Sequence, residues 1–253
     1  MLHKESVQST TSSKGFAKRF LRKIEQSENA NFKDISSIIE TEKELAKLDT
    51  THRMCLLLSD GKFASNIRID REDLKKLSEI EAGNFSFYTA SVSDNNNKGM
   101  LSFLAKLNHG FSLYTRTHAS FARKFSLLVS HIQHPVLHDI TISFPDETDS
   151  KVYLADKISP ILLADKGLTF YGKNEAKTSS RIFIQGKSGN RWINILKELP
   201  ISTARKGRYN LQKNLASQKT FLSLYSFLKT KDEKYLIDAK EHQSEYDLTL
   251  PIP

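Results

Sequence analysis

The 253-residue chain has one cysteine, Cys55, so no internal disulfide framework can hold it together. Cys55 falls inside an apolar run and reads as a small buried hydrophobe, not a reactive thiol. No apolar stretch approaches the roughly 20 residues needed to span a bilayer. The start, Met1 to Ser13, is polar and lacks the apolar centre of a signal peptide. Either a cytoplasmic protein or a piece of something longer is therefore expected. Catalytic fingerprints are missing as well: there is no Gly-x-Ser-x-Gly, no P-loop and no dinucleotide fingerprint. Gly186-Lys187-Ser188-Gly189 lacks the upstream glycine of a phosphate loop, lies between strand-like segments and reads as a hairpin turn. Asp146 and Glu147 lie in an evident turn and read as solvated. His131, His134 and His138 are close in sequence, but Pro135 breaks the helix between them and no cysteine or paired carboxylate is near. Trp192 reads as a core residue. With no constellation to support catalysis, a non-enzymatic protein is expected.

Charge and size are what the chain does offer. The net charge is +9, with 29 acidic residues interleaved among the basic ones, and the pI is about 9.4. The densest basic stretches are Lys14-Lys18-Arg19-Arg22-Lys23 and Arg205-Lys206-Arg208-Lys213. Neither sits in a zinc finger, an RNP motif or a KH loop. A solvated basic face is the first reading, and a basic nucleic-acid-binding protein is the alternative. Apolar residues make up 38% of the chain and mean hydropathy is -0.45. That is enough for one large domain or two small ones.

Periodicity sets the element order. Phe16, Phe20, Leu21 and Ile24 predict a helix over 14–27, after Ser12-Ser13. Ile35, Ile38, Ile39, Leu45 and Leu48 form the apolar stripe of a second helix over 33–48. A strand follows over 54–59, and Asp70 caps a helix over 71–82 that Gly83 ends. Phe85 to Val92 is strand-like, Asp94 to Asn97 is a polar loop, and Met100 to Leu107 is a helix closed by Asn108-His109-Gly110. Phe111 to Thr115 is a short strand, and Phe121 to His134 is a helix stopped by Pro135. This alternation predicts a parallel sheet covered by helices. After Pro135 the strand candidates are 136–144, 151–155, 168–173, 181–186 and 191–196, which read as an antiparallel β unit. Helices then run from Leu211 and over 232–243, before an extended end at 246–253. The division expected is 1–134 as an α/β domain and 135–253 as a β-rich extension with C-terminal helices.

Met54-Cys-Leu-Leu-Leu-Ser-Asp-Gly61 carries the main functional signal. A short apolar run that ends in a turn is a buried parallel strand. Its last polar residues reach the carboxyl edge of the sheet, where open α/β sheets bind ligands. Asp60 is therefore the best-placed ligand in the sequence, with Ser59 and, from the next polar loop, Asn95 beside it.

The succession of segments resembles the later two-thirds of a von Willebrand factor A-like domain, followed by the extension of inter-alpha-trypsin-inhibitor heavy-chain-like proteins. Leu56-Leu-Leu-Ser-Asp-Gly61 is similar to the strand ending in that family's Asp-Gly. Phe85 to Asn97, with Met100-Leu-Ser-Phe-Leu-Ala-Lys-Leu-Asn-His-Gly110, is similar to its strand, polar loop and leucine-alanine helix. Pro135-Val-Leu-His-Asp-Ile-Thr-Ile142 and Leu168-Thr-Phe-Tyr-Gly-Lys173 resemble strands after the A domain, and Tyr246-Asp-Leu-Thr-Leu-Pro251 resembles the closing strand. The resemblance implies an α/β fold with a partial parallel sheet flanked by helices. It also implies a protein-protein interaction or adhesion-type module.

The departures shape the expectation. The family's metal-ion-dependent adhesion site uses an Asp-x-Ser-x-Ser loop, a threonine on a second loop and the aspartate of a third; such oxygens suit Mg²⁺. Asp60 matches the third loop. No Asp-x-Ser-x-Ser occurs in the chain, and Lys33 stands where the threonine is expected; an ammonium cannot ligate a cation but can neutralise Asp60. The metal site is therefore expected to be incomplete and Mg²⁺ is not expected to bind. The family's first strands have no counterpart either. The expected partner is another protein, one that supplies the missing half of the sheet.

Overall fold

A computed structural model of the chain describes residues 10–12, 14, 15, 19, 31–48, 52–62, 70–80, 84–132, 135–145, 151–154, 161–164, 167–174, 179–189, 191–203 and 209–251. The chain divides into two compact units, Met1–Asn31 and Phe32–Pro253. In the first, Thr11, Ser12, Lys14, Gly15 and Arg19 are helical; the rest of the helix expected over 14–27 lies outside the described residues.

The second unit begins with α1 (Phe32–Leu48), β1 (Arg53–Leu58), α2 (Arg71–Glu79), β2 (Phe85–Val92), α3 (Lys98–Leu107), β3 (Ser112–Thr115) and α4 (His118–Ile132). The three strands form a parallel sheet in the order β1-β2-β3, as the alternation predicts. Side chains alternate across it. Cys55, Leu57, Phe85 and Phe87 face a core built from α1, α2, α3 and the C-terminal helices. Leu56, Tyr88, Ala90 and Leu113 face α4 through Phe121, Phe125, Leu128 and Ile132. β2, central and covered on both faces, is buried from Phe85 to Ser91. Burial pushes the Cys55 thiol up to about 12, which keeps it protonated and chemically inert.

The buried face of α1 differs from the expected stripe. Phe32, Ser36, Ile39, Lys43 and Ala46 are buried, while Ile38, Leu45 and Leu48 are exposed. The reason lies in α2. Lys43 Nζ donates to the carbonyl oxygens of Leu77 and Ile80, acceptors that the helix end leaves unpaired. A cation with that role takes the inward position and turns Leu45 outward. α2 is also shorter than expected, ending at Glu79.

The remaining elements are β4 (Pro135–Ser143), β5 (Lys151–Val152), β6 (Leu162–Leu163), β7 (Gly172–Lys173), β8 (Ser180–Ser188), β9 (Arg191–Leu199), a 3-10 turn at Ile201–Thr203, α5 (Tyr209–Thr230) and α6 (Lys234–Tyr246). An antiparallel sheet runs β6-β4-β8-β9, and β5 pairs with β7. Gly186 to Gly189 leads into the β8–β9 hairpin, where Ser188 pairs with Arg191 and Gly189 takes φ +57°. Trp192 is not a core residue: it is 53% exposed, because β9 is an edge strand whose side chains nearly all face solvent. Its ring instead lies under the Lys187 ammonium at 4.8 Å. Residues 246–251 do not pair into the closing strand that the resemblance implies. Tyr246 closes α6, Asp247 stops it in the left-handed region, and Leu250 is buried with its backbone against Gly99 of α3. No helix among the described residues is long and apolar enough to cross a membrane.

Candidate interaction site at the carboxyl edge

Parallel pairing fixes the geometry of the candidate site. Leu58 is in register with Ala90, so the turns after β1 and β2 emerge side by side at the carboxyl edge. Two backbone bonds join them: Ser59 N–H donates to the Ala90 carbonyl at 3.2 Å and Asn97 N–H to the Asp60 carbonyl at 2.8 Å. Ser59, Asp60 and Asn95 thus lie on one edge, as the sequence predicts.

The turn after β1 is held locally. Ser59 Oγ accepts from Gly61 N–H at 3.0 Å, and Asp60 Oδ1 accepts from Lys62 N–H at 3.0 Å. Gly61 has φ +70°, and a Cβ there would lie 2.8 Å from Leu101 Cγ and 2.9 Å from the Asn97 carbonyl oxygen. Only glycine allows both the left-handed backbone and the close approach to α3. Asp60 is exposed. Asn95 is exposed too, its N–H donating to Ser93 Oγ at 3.2 Å. Asn97 caps α3 by accepting from Met100 N–H at 3.1 Å.

A second carboxylate, outside the expected site, organises the same edge. The Tyr114 hydroxyl donates to Asp94 Oδ1; Lys98 Nζ and Arg116 Nε each stand 3.5 Å from the same oxygen. The Lys98 ammonium also lies 3.8 Å from the centre of the Tyr114 ring. The Tyr114 hydrogen bond, followed by Arg116 and Lys98, holds the Asp94 carboxyl below its ordinary range. Tyr114 and then Asp94 hold Lys98 above its own. The sequence offers one clue to this cluster, the four-residue spacing of Asp94 and Lys98; Tyr114 and Arg116 arrive from β3.

The other sequence candidates are placed as follows. Lys33 is the second residue of α1 and is exposed. His131 is half-buried on α4, His134 lies outside the described residues, and His138 Nδ1 is 3.2 Å from Asp139 Oδ2. Among the described residues no three His, Cys, Asp or Glu side chains are grouped to share an ion. Both basic stretches lie largely outside the described residues.

No protein-family profile matches the sequence, and no curated protein matches it. Solved structures do align with it. A von Willebrand factor type A structure from Catenulispora acidiphila aligns with TM-score 0.51 and 13% identity, over 95% of this chain and 66% of that one. The ArnB paralog VWA2 from Sulfolobus acidocaldarius aligns with TM-score 0.45 and 15% identity, over 89% of this chain and 63% of that one. The chain thus spans less than two-thirds of the length of either. The fold is α/β and von Willebrand factor A-like: a parallel three-stranded sheet flanked by helices, then a curled antiparallel sheet and C-terminal helices.

Proposed function

We propose that the chain is a non-enzymatic protein-interaction module that meets another protein at the carboxyl edge and along the open side of β1. One observation carries this reading. Among the described residues β1 is paired on one side only, with β2, and its Met54 and Leu58 side chains are 38% and 59% exposed. An unpaired strand edge beside exposed apolar side chains is a template for a further strand. Leu58 directly precedes Ser59 and Asp60, so the edge and the candidate site form one surface. A strand or loop from the partner extends the sheet beyond β1.

In this reading the adhesion-type metal site is degenerate. Ser59 Oγ and Asp60 Oδ1 already accept backbone N–H groups. Asp94, the other carboxylate on the edge, is covered by a phenol and two cations. Such a donor set does not suit a hard divalent cation, which needs several free oxygens, and no step is derived through one. Residues 135–253 act as a supporting extension, comparable to that of inter-alpha-trypsin-inhibitor heavy-chain-like proteins. Two experiments test the reading. Calorimetric titration with Mg²⁺ gives no saturable heat and leaves Tm unchanged; saturable binding that raises Tm overturns the metal part. A partner that copurifies with the parent chain is lost with Leu58→Glu and retained with Ile237→Glu at an exposed position of α6; equal retention by both overturns the interface.

A further inference from the structure

A cavity of about 410 Å³ lies at the opposite, amino-terminal edge of the parallel sheet, between the end of α3, the β5–β7 region, β6 and α5. Its volume falls within the range of about 300–1,000 Å³ found for small-molecule sites. Three features define what it can hold.

The walls are aromatic. Tyr88, Phe111, Tyr153, Phe170, Tyr171 and Phe221 all line it. Tyr88 and Phe111 meet edge to face with centroids 5.2 Å apart. Gln218 Nε2 donates to the Tyr153 carbonyl oxygen at 3.0 Å, which ties that wall to α5. Flat faces of this kind favour a planar ring over a flexible aliphatic chain.

Among the described lining residues the charged side chain is a lysine. Lys106, in the last turn of α3, is among the lining residues, and no aspartate or glutamate belongs to the lining among the described residues. No carboxylate among them stands in ion-pair range of Lys106; its nearest described attraction is the Phe221 ring, 5.6 Å away. Burial holds its ammonium below the ordinary lysine range. A desolvated cation without a counter-ion gains most from an incoming carboxylate.

The cavity is also framed by a close backbone approach. A Cβ at Gly110 would lie 1.9 Å from the Phe87 carbonyl oxygen, so the turn after α3 sits hard against β2 and keeps Lys106 and Phe111 in place.

The geometry points to a binding site for a small aromatic carboxylate, its ring between the aromatic walls and its carboxylate on Lys106. This inference is independent of the carboxyl-edge reading and stands or falls separately.

The test is calorimetric titration of the full chain with 2-naphthoate, beside the neutral 2-naphthalenemethanol and the aliphatic decanoate. One saturable site for 2-naphthoate is expected, with both comparison compounds weaker. Lys106→Met weakens 2-naphthoate about tenfold or more, the worth of one charge-assisted contact, and Lys106→Arg restores most of it. Neither variant lowers Tm, because each keeps the aliphatic stem; Lys106→Gln serves as the neutral variant if the methionine does lower it. The proposal is overturned by an absence of saturable 2-naphthoate binding, by equal or tighter binding of the alcohol or of decanoate, or by undiminished binding in the neutral variants.

Discussion

Arg71 Nη2 donates to the carbonyl oxygen of Leu228 at 2.6 Å, joining the first residue of α2 to the last turn of α5. Arg71 Nε reaches the neighbouring Phe227 carbonyl at 3.4 Å, and the guanidinium lies 5.9 Å from the Phe227 ring centre. The final carbonyls of a helix have no partner within it, so this side chain caps α5 from a segment 157 residues earlier. Arg71→Ala should cost about 3 kcal/mol, since it takes from the buried Leu228 carbonyl its guanidinium donor, while the Phe227 carbonyl keeps the Lys231 N–H at 3.0 Å. Arg71→Lys should recover only part, because an ammonium cannot span both acceptors with the same fork. Urea midpoints of the two variants check this.

Lys43 performs the matching service for α2 and carries a pH signature. Burial, then the nearby Lys47 charge, lowers its pKa from 10.5 to about 7. The folded state therefore binds fewer protons than the unfolded state between those values, so this group makes stability rise with pH from about 7 to 10.5. Below pH 7 both states are charged and the burial penalty is paid in full. Lys43→Met leaves the Leu77 and Ile80 carbonyls without this donor and should be less stable than the parent, with the gap widening as pH rises from about 6 to 10. Denaturation of the pair across that range measures the difference, in which the other titrating groups cancel.

His52 reports in the acid range. Its Nε2 stands 2.8 Å from Ser86 Oγ, and burial, reinforced by His138, lowers its pKa from 6.5 to about 4. The unfolded chain takes up a proton first, so stability should fall as pH drops from 6.5 to about 4. His52→Gln should flatten that part of the curve. Asp139 acts lower down: its hydrogen bond with His138, then that with Lys187, depresses it from 3.8 to about 2, and its contribution is lost as pH falls through that window. The imidazole shifts of His52, followed by NMR, should show the midpoint near 4.

Two glycines in nearby loops should behave oppositely. Gly110→Ala places a methyl 1.9 Å from the Phe87 carbonyl oxygen. Backbone must move, and the cost should be about 3 kcal/mol or more. Gly167 has nothing within 4 Å of its Cβ position, and Gly167→Ala should stay within about 0.5 kcal/mol of the parent. Thermal denaturation of both variants is the check.

Sequence pattern reached some of this and not the rest, for physical reasons. β1 and β2 were legible because each is an apolar run bounded by turn signals, and their parallel pairing brings Ser59, Asp60 and Asn95 to one edge. The inward face of α1 was not, since periodicity counts Lys43 as polar while α2 draws it inside to cap a helix. β6, two leucines long, is too short to show a period. Trp192 has the chemistry of a core side chain, but among the described residues β9 has a neighbour on one side only. The Asp94 cluster depends on Tyr114 and Arg116, brought in by the β2–β3 pairing 20 residues away. The helix stops at 108–110 as the pattern predicts: His109 takes the positive φ of 62°, and Gly110 allows the close approach to β2.

The central claim is that the β1 edge and the loops beside it contact a protein without help from a metal. Site-specific photocrosslinking tests it most directly, with benzoylphenylalanine at Leu58 and, as control, at exposed Ile237. The account predicts one discrete adduct from position 58, formed equally with EDTA and with Mg²⁺, and none of that mass from position 237. An adduct that needs Mg²⁺, or none at position 58 when position 237 gives one, contradicts it.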